Sequence, residues 1–468
     1  MTAPPFAPAL VRNREHRPRP RVGLVLGGGG ARAAYQVGVL NALIRIRRES
    51  NAPRANPFPV IVGTSAGAIN AAVLASHADQ FDFAVSHLVD VWRNFRAEQV
   101  YRSDAIGVIR SGALWLTLLT VGWAIARWSR LSPHSLLDNR PLADLLERTL
   151  NLHRVRDVMQ AGHLQALAVS ASGYTSGTHV TFYDAVDELR PWTREQRIAV
   201  PGPITLSHLL ASSAIPFVFP AAPLEIAGRV EWFGDGSMRE VAPISPAIHL
   251  GAERVLVIGS GRMCEPPDQV AEPPAYPSLA QIAGHALSSI FLDSLAVDIE
   301  RLLRINRTYA LLSPEARSRT TLRAIDVLVI APSQRLDDIA ARHINSLPRA
   351  VRSLLSAVGV RGPNGHEASG AALASYLLFE APYTGELIAL GERDTLARRA
   401  EVLRFFGWGR RSGVTADASS IGTMPGAGAN EVASCAHTAR RRAARPDEPH
   451  ASTSTRIHVP PATRPLSV

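Results

Sequence analysis

Lysine is absent from the 468 residues, so all 50 basic side chains are arginine. Arginine stays protonated, which leaves histidine, aspartate or glutamate as the only groups able to deprotonate a hydroxyl. Cysteine is nearly absent as well. Cys264 and Cys435 stand far apart, which excludes a disulfide framework and a cysteine-rich metal site. The first residues carry no basic stretch followed by an apolar run, so no secretory signal is read there, and the expected location is the cytoplasm or a peripheral membrane surface. The net charge of +10 is read mainly as solvated arginine. Aromatic and basic residues are nowhere interleaved as in nucleic-acid readers, so no nucleic-acid partner is expected.

What is present divides into four stretches. Residues 1–20 hold Pro4, Pro5, Pro8, Pro18 and Pro20 among arginines, and residues 411–468 are rich in Ala, Ser, Thr, Gly and Arg without apolar periodicity; both read as disordered tails. Between them, residues 21–260 alternate short apolar runs with helical patterns. Val22–Leu26 meets four glycines, Gly27 to Gly30, and then a helix pattern through Tyr35, Val39, Leu40 and Leu43. Residues 60–62 run into Gly63-Thr64-Ser65-Ala66-Gly67 and a small-residue helix. Further strands are expected at 164–170, 179–183 (a hairpin partner), 230–233, 255–258 and 327–330. This pattern predicts an α/β fold, a mostly parallel sheet flanked by helices. Residues 261–410 read as a mixed, mainly helical C-terminal extension, set off by a proline-rich linker at 266–277. Residues 112–126, apolar almost all round, are shorter than the ~20 residues of a membrane span. They suit a buried core helix, or an interfacial segment or lid.

Gly63-Thr64-Ser65-Ala66-Gly67 fits the G-x-S-x-G turn, in which a serine nucleophile sits between a strand and a helix N-terminus that favours negative charge. Gly27 to Gly30 can aim several backbone N–H groups at one point, as an oxyanion requires. A dinucleotide loop would match Gly28, Gly30 and Ala33, but it needs an acidic residue at the end of the second strand, where Gly63-Thr64-Ser65 stands instead. Serine needs a base. Asp235, between Gly234 and Gly236 after a strand, is one candidate, although Asp-Gly is also a common hairpin turn. His208 and His249 lie near these segments and leave a Ser–His–Asp triad open.

In this order, the glycine loop, the G-x-S-x-G turn and Asp235-Gly236-Ser237 resemble the motifs of patatin-like phospholipases, and Ala211-Ser212-Ser213-Ala214-Ile215-Pro216 resembles that family's small-residue segment before the aspartate. The resemblance covers about residues 22–258. Ala33 and Ser237 stand where the family commonly has glycine and glycine or alanine. It implies a Ser–Asp dyad, with Ser65 as nucleophile, Asp235 as base, and Gly28, Gly29 and Gly30 lining the oxyanion hole. Arg32, Gly63, Gly67 and Gly236 would support the motifs. The expected activity is hydrolysis of lipid or phospholipid acyl esters without cofactor or metal, at a peripheral membrane surface. The alternative is an idle hydrolase fold that binds lipid or regulates. Oligomeric state is open. Because an unperturbed aspartate has a pKa near 3.9, Asp235 needs desolvation to act as a base, which Phe217, Trp232 and Phe233 are expected to supply.

Overall fold

The computed structural model describes residues 20–102, 135–262, 278–357, 359–360 and 370–409. Its strands are β1 (Val22–Leu26), β2 (Val60–Thr64), β3 (Ala166–Gly173), β4 (His179–Ala185), β5 (Thr193–Arg194), β6 (Arg197–Pro201), β7 (Ala222–Ile226), β8 (Arg229–Asp235), β9 (Arg254–Ile258) and β10 (Asp326–Ile330). They form one sheet in the order β10-β9-β1-β2-β3-β4-β6-β5, with the β7–β8 hairpin attached to β3. The five strands β10, β9, β1, β2 and β3 run parallel. Beyond them β4 turns antiparallel to β3, and β8 lies antiparallel on the other flank of β3's end. The fold is α/β and mostly parallel, as the alternation of apolar runs with helical patterns predicts.

Every residue of β1 and β2 is buried. Strands covered by helices on both faces have no polar side, which is why these segments read as unbroken apolar runs. One face carries α1 (Ala34–Glu49), α2 (Ala66–Ser76) and α3 (Phe81–Arg93); Leu40, Ile46, Leu74 and Leu88 lie in that core. The opposite face packs Val25, Val62, Val255 and Val257 against Ile244, Ile299 and Leu302. Leu26 pairs with Gly63, so the glycine loop after β1 and the serine turn after β2 leave the sheet side by side at its carboxyl edge. Ligand sites of open α/β sheets gather at such an edge.

The stretch after residue 260 continues the same sheet, because β10 is hydrogen-bonded to β9 along its length. Its helix Ala381–Ala397 lies along α1 and contributes Leu387, Ile388 and Leu390 to the shared core. Among the described residues, the helix Ala280–Leu311 is long and apolar enough to cross a membrane, with a mean hydropathy of 1.4, although only a quarter of that apolar stretch is buried. The two tails, the linker at 266–277 and the apolar segment at 112–126 lie outside the described residues.

Candidate active site

Ser65 occupies a backbone conformation that side chains avoid, with φ 57° and ψ −131°, and such strain survives only where neighbours impose it. Its N–H donates to Ser212 Oγ at 2.9 Å, and its carbonyl accepts from the Ala68 N–H at 2.9 Å. The Gly67 Cα faces the carbonyls of Leu26 and Gly27 so closely that a Cβ would overlap them, so the turn is pressed against the end of β1. Asp235 ends β8, pairs with Ala171 of β3 and donates its N–H to the Ala214 carbonyl at 2.9 Å. The serine hydroxyl donates to Asp235 Oδ2 at 2.5 Å, and the Ser237 N–H donates to Oδ1 at 2.9 Å. Ser65 and Asp235 are 1% and 0% exposed. Burial pushes the Asp235 carboxyl up to about 6, against the opposing hydrogen bonds from Ser65 and Ser237.

The source of that burial differs from the expectation. Phe233 is fully buried, but Trp232 is 54% exposed and Phe217 72% exposed. Successive residues of a strand face opposite sides, so Phe233 points inward and Trp232 outward. Phe217 sits in a turn with φ 65° that carries its ring into solvent. The desolvating wall around Asp235 is therefore Phe233, β3 and the serine turn.

Gly29 and Gly30 have φ of 154° and 55°, and a 3₁₀ turn, Gly30–Ala33, leads into α1. The Gly27 carbonyl accepts from Gln36 Nε2 at 2.7 Å, and the Gly28 carbonyl accepts from Ser260 Oγ. Among the described residues, the N–H groups of Gly28 and Gly29 have no acceptor. The two histidines lie elsewhere. His208 packs against the Phe182 ring, tilted, with centroids 4.4 Å apart, and accepts from the Thr205 N–H at 3.0 Å; His249 stacks on Trp192 at 4.7 Å. Neither bonds Ser65 or Asp235.

The family model for patatin-like phospholipases matches residues 24–248, from β1 through the serine turn and Asp235 to the helix Ser245–His249. These residues form a patatin-like phospholipase domain. The family is one of lipid ester hydrolases. Among solved structures, VipD from Legionella pneumophila shares 13% identity, covering 80% of this chain and 67% of that one with a TM-score of 0.29. Human GIVD cytosolic phospholipase A2, in complex with methyl gamma-linolenyl fluorophosphonate, shares 13% identity, covering 85% and 60% with a TM-score of 0.40. The type III effector ExoU shares 16% identity, covering 89% and 93% with a TM-score of 0.23. The chain thus spans about three fifths of the human enzyme's length. No curated protein matches the sequence.

Within the patatin-like domain, Arg32 faces a carboxylate of its own chain. Its buried guanidinium pairs with Asp337, donates to Ser375 Oγ at 2.8 Å and stacks 4.1 Å over the Tyr376 ring. It therefore ties the glycine loop to helices beyond residue 330. Gly30 packs on the Tyr376 carbonyl with no room for a side chain, and Gly236 packs on that of Ser170. Next to Ser65 opens a narrow, largely apolar cavity of about 60 Å³, bordered by Gly30, Ile69, Val73, Leu88, Val91 and Phe219.

Four neighbours of the site escaped the sequence reading. Ser212, within the small-residue segment, accepts the Ser65 N–H. Ser260, just after β9, holds the glycine loop by the Gly28 carbonyl. Tyr174 lies over Gly234, beside Asp235, and burial together with that carboxylate raises its phenol. Glu240 accepts a hydrogen bond from Thr64 Oγ1 at 2.7 Å. The hydroxyl next to the serine and the glutamate five residues past the aspartate were the available signal, but nothing local joins positions 64 and 240.

Proposed function

We propose that this protein hydrolyses the acyl esters of lipids, with glycerophospholipids as the favoured class, through a Ser65–Asp235 dyad. The reading rests on one observation above all, the 2.5 Å hydrogen bond from the serine hydroxyl to a carboxylate with no histidine between them. Ser65 Oγ attacks the ester carbonyl as its proton passes to Asp235 Oδ2; the proton then goes to the departing alcohol, and Asp235 takes a proton from the water that attacks the acyl-enzyme and returns it to Ser65 Oγ as the acid leaves. The N–H groups of the Gly28–Gly30 loop hold the tetrahedral oxyanion, each such donor contributing about 2.7–4 kcal/mol to the transition state. The acyl chain follows the apolar cavity that starts at Ser65 and Gly30.

A base that must be ionised to work and whose carboxyl is pushed up to about 6 sets the acidic limb of kcat/KM near that pH, well above an ordinary aspartate. The catalytic unit is residues 21–260, with 261–410 completing the sheet and bracing the glycine loop. The protein acts from the cytoplasm or a peripheral membrane position. Tyr174, Val230 and Trp232, exposed on one side of β8 near Asp235, offer the kind of aromatic and apolar contact that interfacial proteins use.

The test is fatty-acid release from phosphatidylcholine and phosphatidylglycerol vesicles by the wild type, Ser65→Ala and Asp235→Asn, each checked for folding by circular dichroism. Active wild type with both variants at least about 10⁴-fold slower supports the dyad. Retention of rate by folded Ser65→Ala, or vesicle binding by an inert wild type, would replace it with a lipid-binding role.

A further inference from the structure

Behind the serine turn lies a second buried carboxyl that the dyad does not use. Glu240 follows the 3₁₀ turn Gly236–Arg239, is 7% exposed, and its Oε1 accepts from Thr64 Oγ1 at 2.7 Å in the residue that immediately precedes Ser65. It also borders a cavity of about 20 Å³ together with Gly27, Ser260 and Arg262. One side chain thus holds the residue before Ser65 and borders a cavity that the glycine loop also lines. We propose that Glu240 is the positioning residue of the nucleophile turn, bonding Thr64 and supporting turnover while its carboxyl is neutral, and opposing the oxyanion once it ionises.

This proposal deepens the esterase reading and rests on it for the effect on rate. A buried glutamate without a cation at hydrogen-bond distance is costly to ionise, and here the surroundings sharpen that cost. Burial pushes the carboxyl up to about 7; the Thr64 hydrogen bond opposes the rise, while Asp235 and Asp298 add to it. Asp298, on the helix Ser294–Leu311, is itself raised by burial, with the Ile244 N–H bond and Arg301 and Arg197 pulling it back. His179 of β4, whose ring bonds the Gly236 backbone, is held down to about 4 by burial and Arg197, so it is neutral at the pH of interest. Arg262 shares the small cavity but makes no ion pair with Glu240 among the described residues. Like charges crowded into one desolvated site do not ionise together, and the protons leave in steps that belong to the pair. Asp235 accepts two hydrogen bonds, from Ser65 and Ser237, and Glu240 one, from Thr64, so the pair's first negative charge is better supported at Asp235.

As pH rises through about 7, Glu240 then adds a second negative charge beside Asp235 and the forming oxyanion, so the rate should fall after its rise near 6. The experiment measures kcat/KM for a soluble short-chain ester from pH 5 to 9, in the full chain. The wild type should give a bell. Glu240→Gln, which keeps the acceptor for Thr64, should lose the descending limb and hold a plateau to pH 9. Thr64→Val, which removes the hydrogen bond that favours the ionised form, should move the descending limb upward. A purely packing role for Glu240 would instead lower all rates without reshaping the profile. Infrared difference spectra between pH 5 and 9 provide a readout independent of turnover. A buried carboxylic-acid band should be missing in Glu240→Gln and a different one in Asp235→Asn. Inert wild type with both bands present would refute the esterase reading yet keep Glu240 as a proton holder. An unchanged profile in folded Glu240→Gln, or no band lost in that variant, overturns the proposal.

Discussion

Replacing Asp235 by asparagine should stabilise the protein at neutral and alkaline pH and leave it nearly unchanged in acid. The carboxyl rises from 3.8 in the unfolded chain to about 6 when folded, chiefly because it is buried. Between those values the folded protein keeps a proton that the unfolded chain has released. Stability from this group is therefore complete below about pH 4 and is lost as pH climbs through 6. A separation of about two pH units at 1.36 kcal/mol each amounts to about 3 kcal/mol. Asparagine has nearly the same shape, can accept from the Ser237 N–H, and carries no charge to desolvate. Unfolding free energies of the wild type and Asp235→Asn from urea titrations at half-unit steps between pH 4 and 8 should diverge by about 3 kcal/mol across that range, with Ser65→Ala as a control that retains the carboxyl. A difference between the two proteins that stays constant from pH 4 to 8 would mean that the aspartate is not desolvated, and the acidic limb expected near 6 would lose its physical basis.

Other consequences are as direct. Arg32→Met removes the partner of Asp337, which remains partly solvated, so the loss should be about 2 kcal/mol, below the 3–5 kcal/mol of a fully buried pair. Thermal unfolding checks that figure, and esterase rate should fall with it, because the glycine loop loses its tie to Ser375 and Tyr376. His208→Gln and His249→Gln should each keep kcat/KM within about threefold, since loss of a base would cost on the order of 10²–10⁴. A collapse of rate in either folded variant would restore a triad.

The parallel core was legible because doubly covered strands such as β1 and β2 are written as unbroken apolar runs, each closed by glycines. The serine turn was legible for a related reason, since its glycines sit where the structure has no room for a side chain. Contacts made across hundreds of residues were not. Asp337 and Ser375 look like ordinary surface residues until Arg32 reaches them, and Glu240 reads as one more polar residue after an aspartate turn. Trp232 and Phe233 show the limit of composition alone: both are large and apolar, and only the facing of β8 decides which one desolvates Asp235. The place of β10 beside β9 was likewise invisible, because an apolar run marks a strand without naming its neighbour.

The contact between α1 and the helix Ala381–Ala397 bears on how the molecule is made. Gly38 lies against the Ile388 carbonyl and Gly391 against the Tyr35 carbonyl, each too close for a Cβ, so the two helices meet backbone to backbone. Domains fold as they emerge during synthesis, amino-terminal parts first. Here the first helix has no partner for its notch until residue 391 has been added, and the glycine loop lacks its brace until Tyr376 has arrived. The glycine loop, the earliest part of the candidate site to be synthesised, is thus among the last to be completed, so a ribosome that stalls before residue 370 leaves a chain with its serine turn but without the support that Ser375 and Tyr376 give that loop.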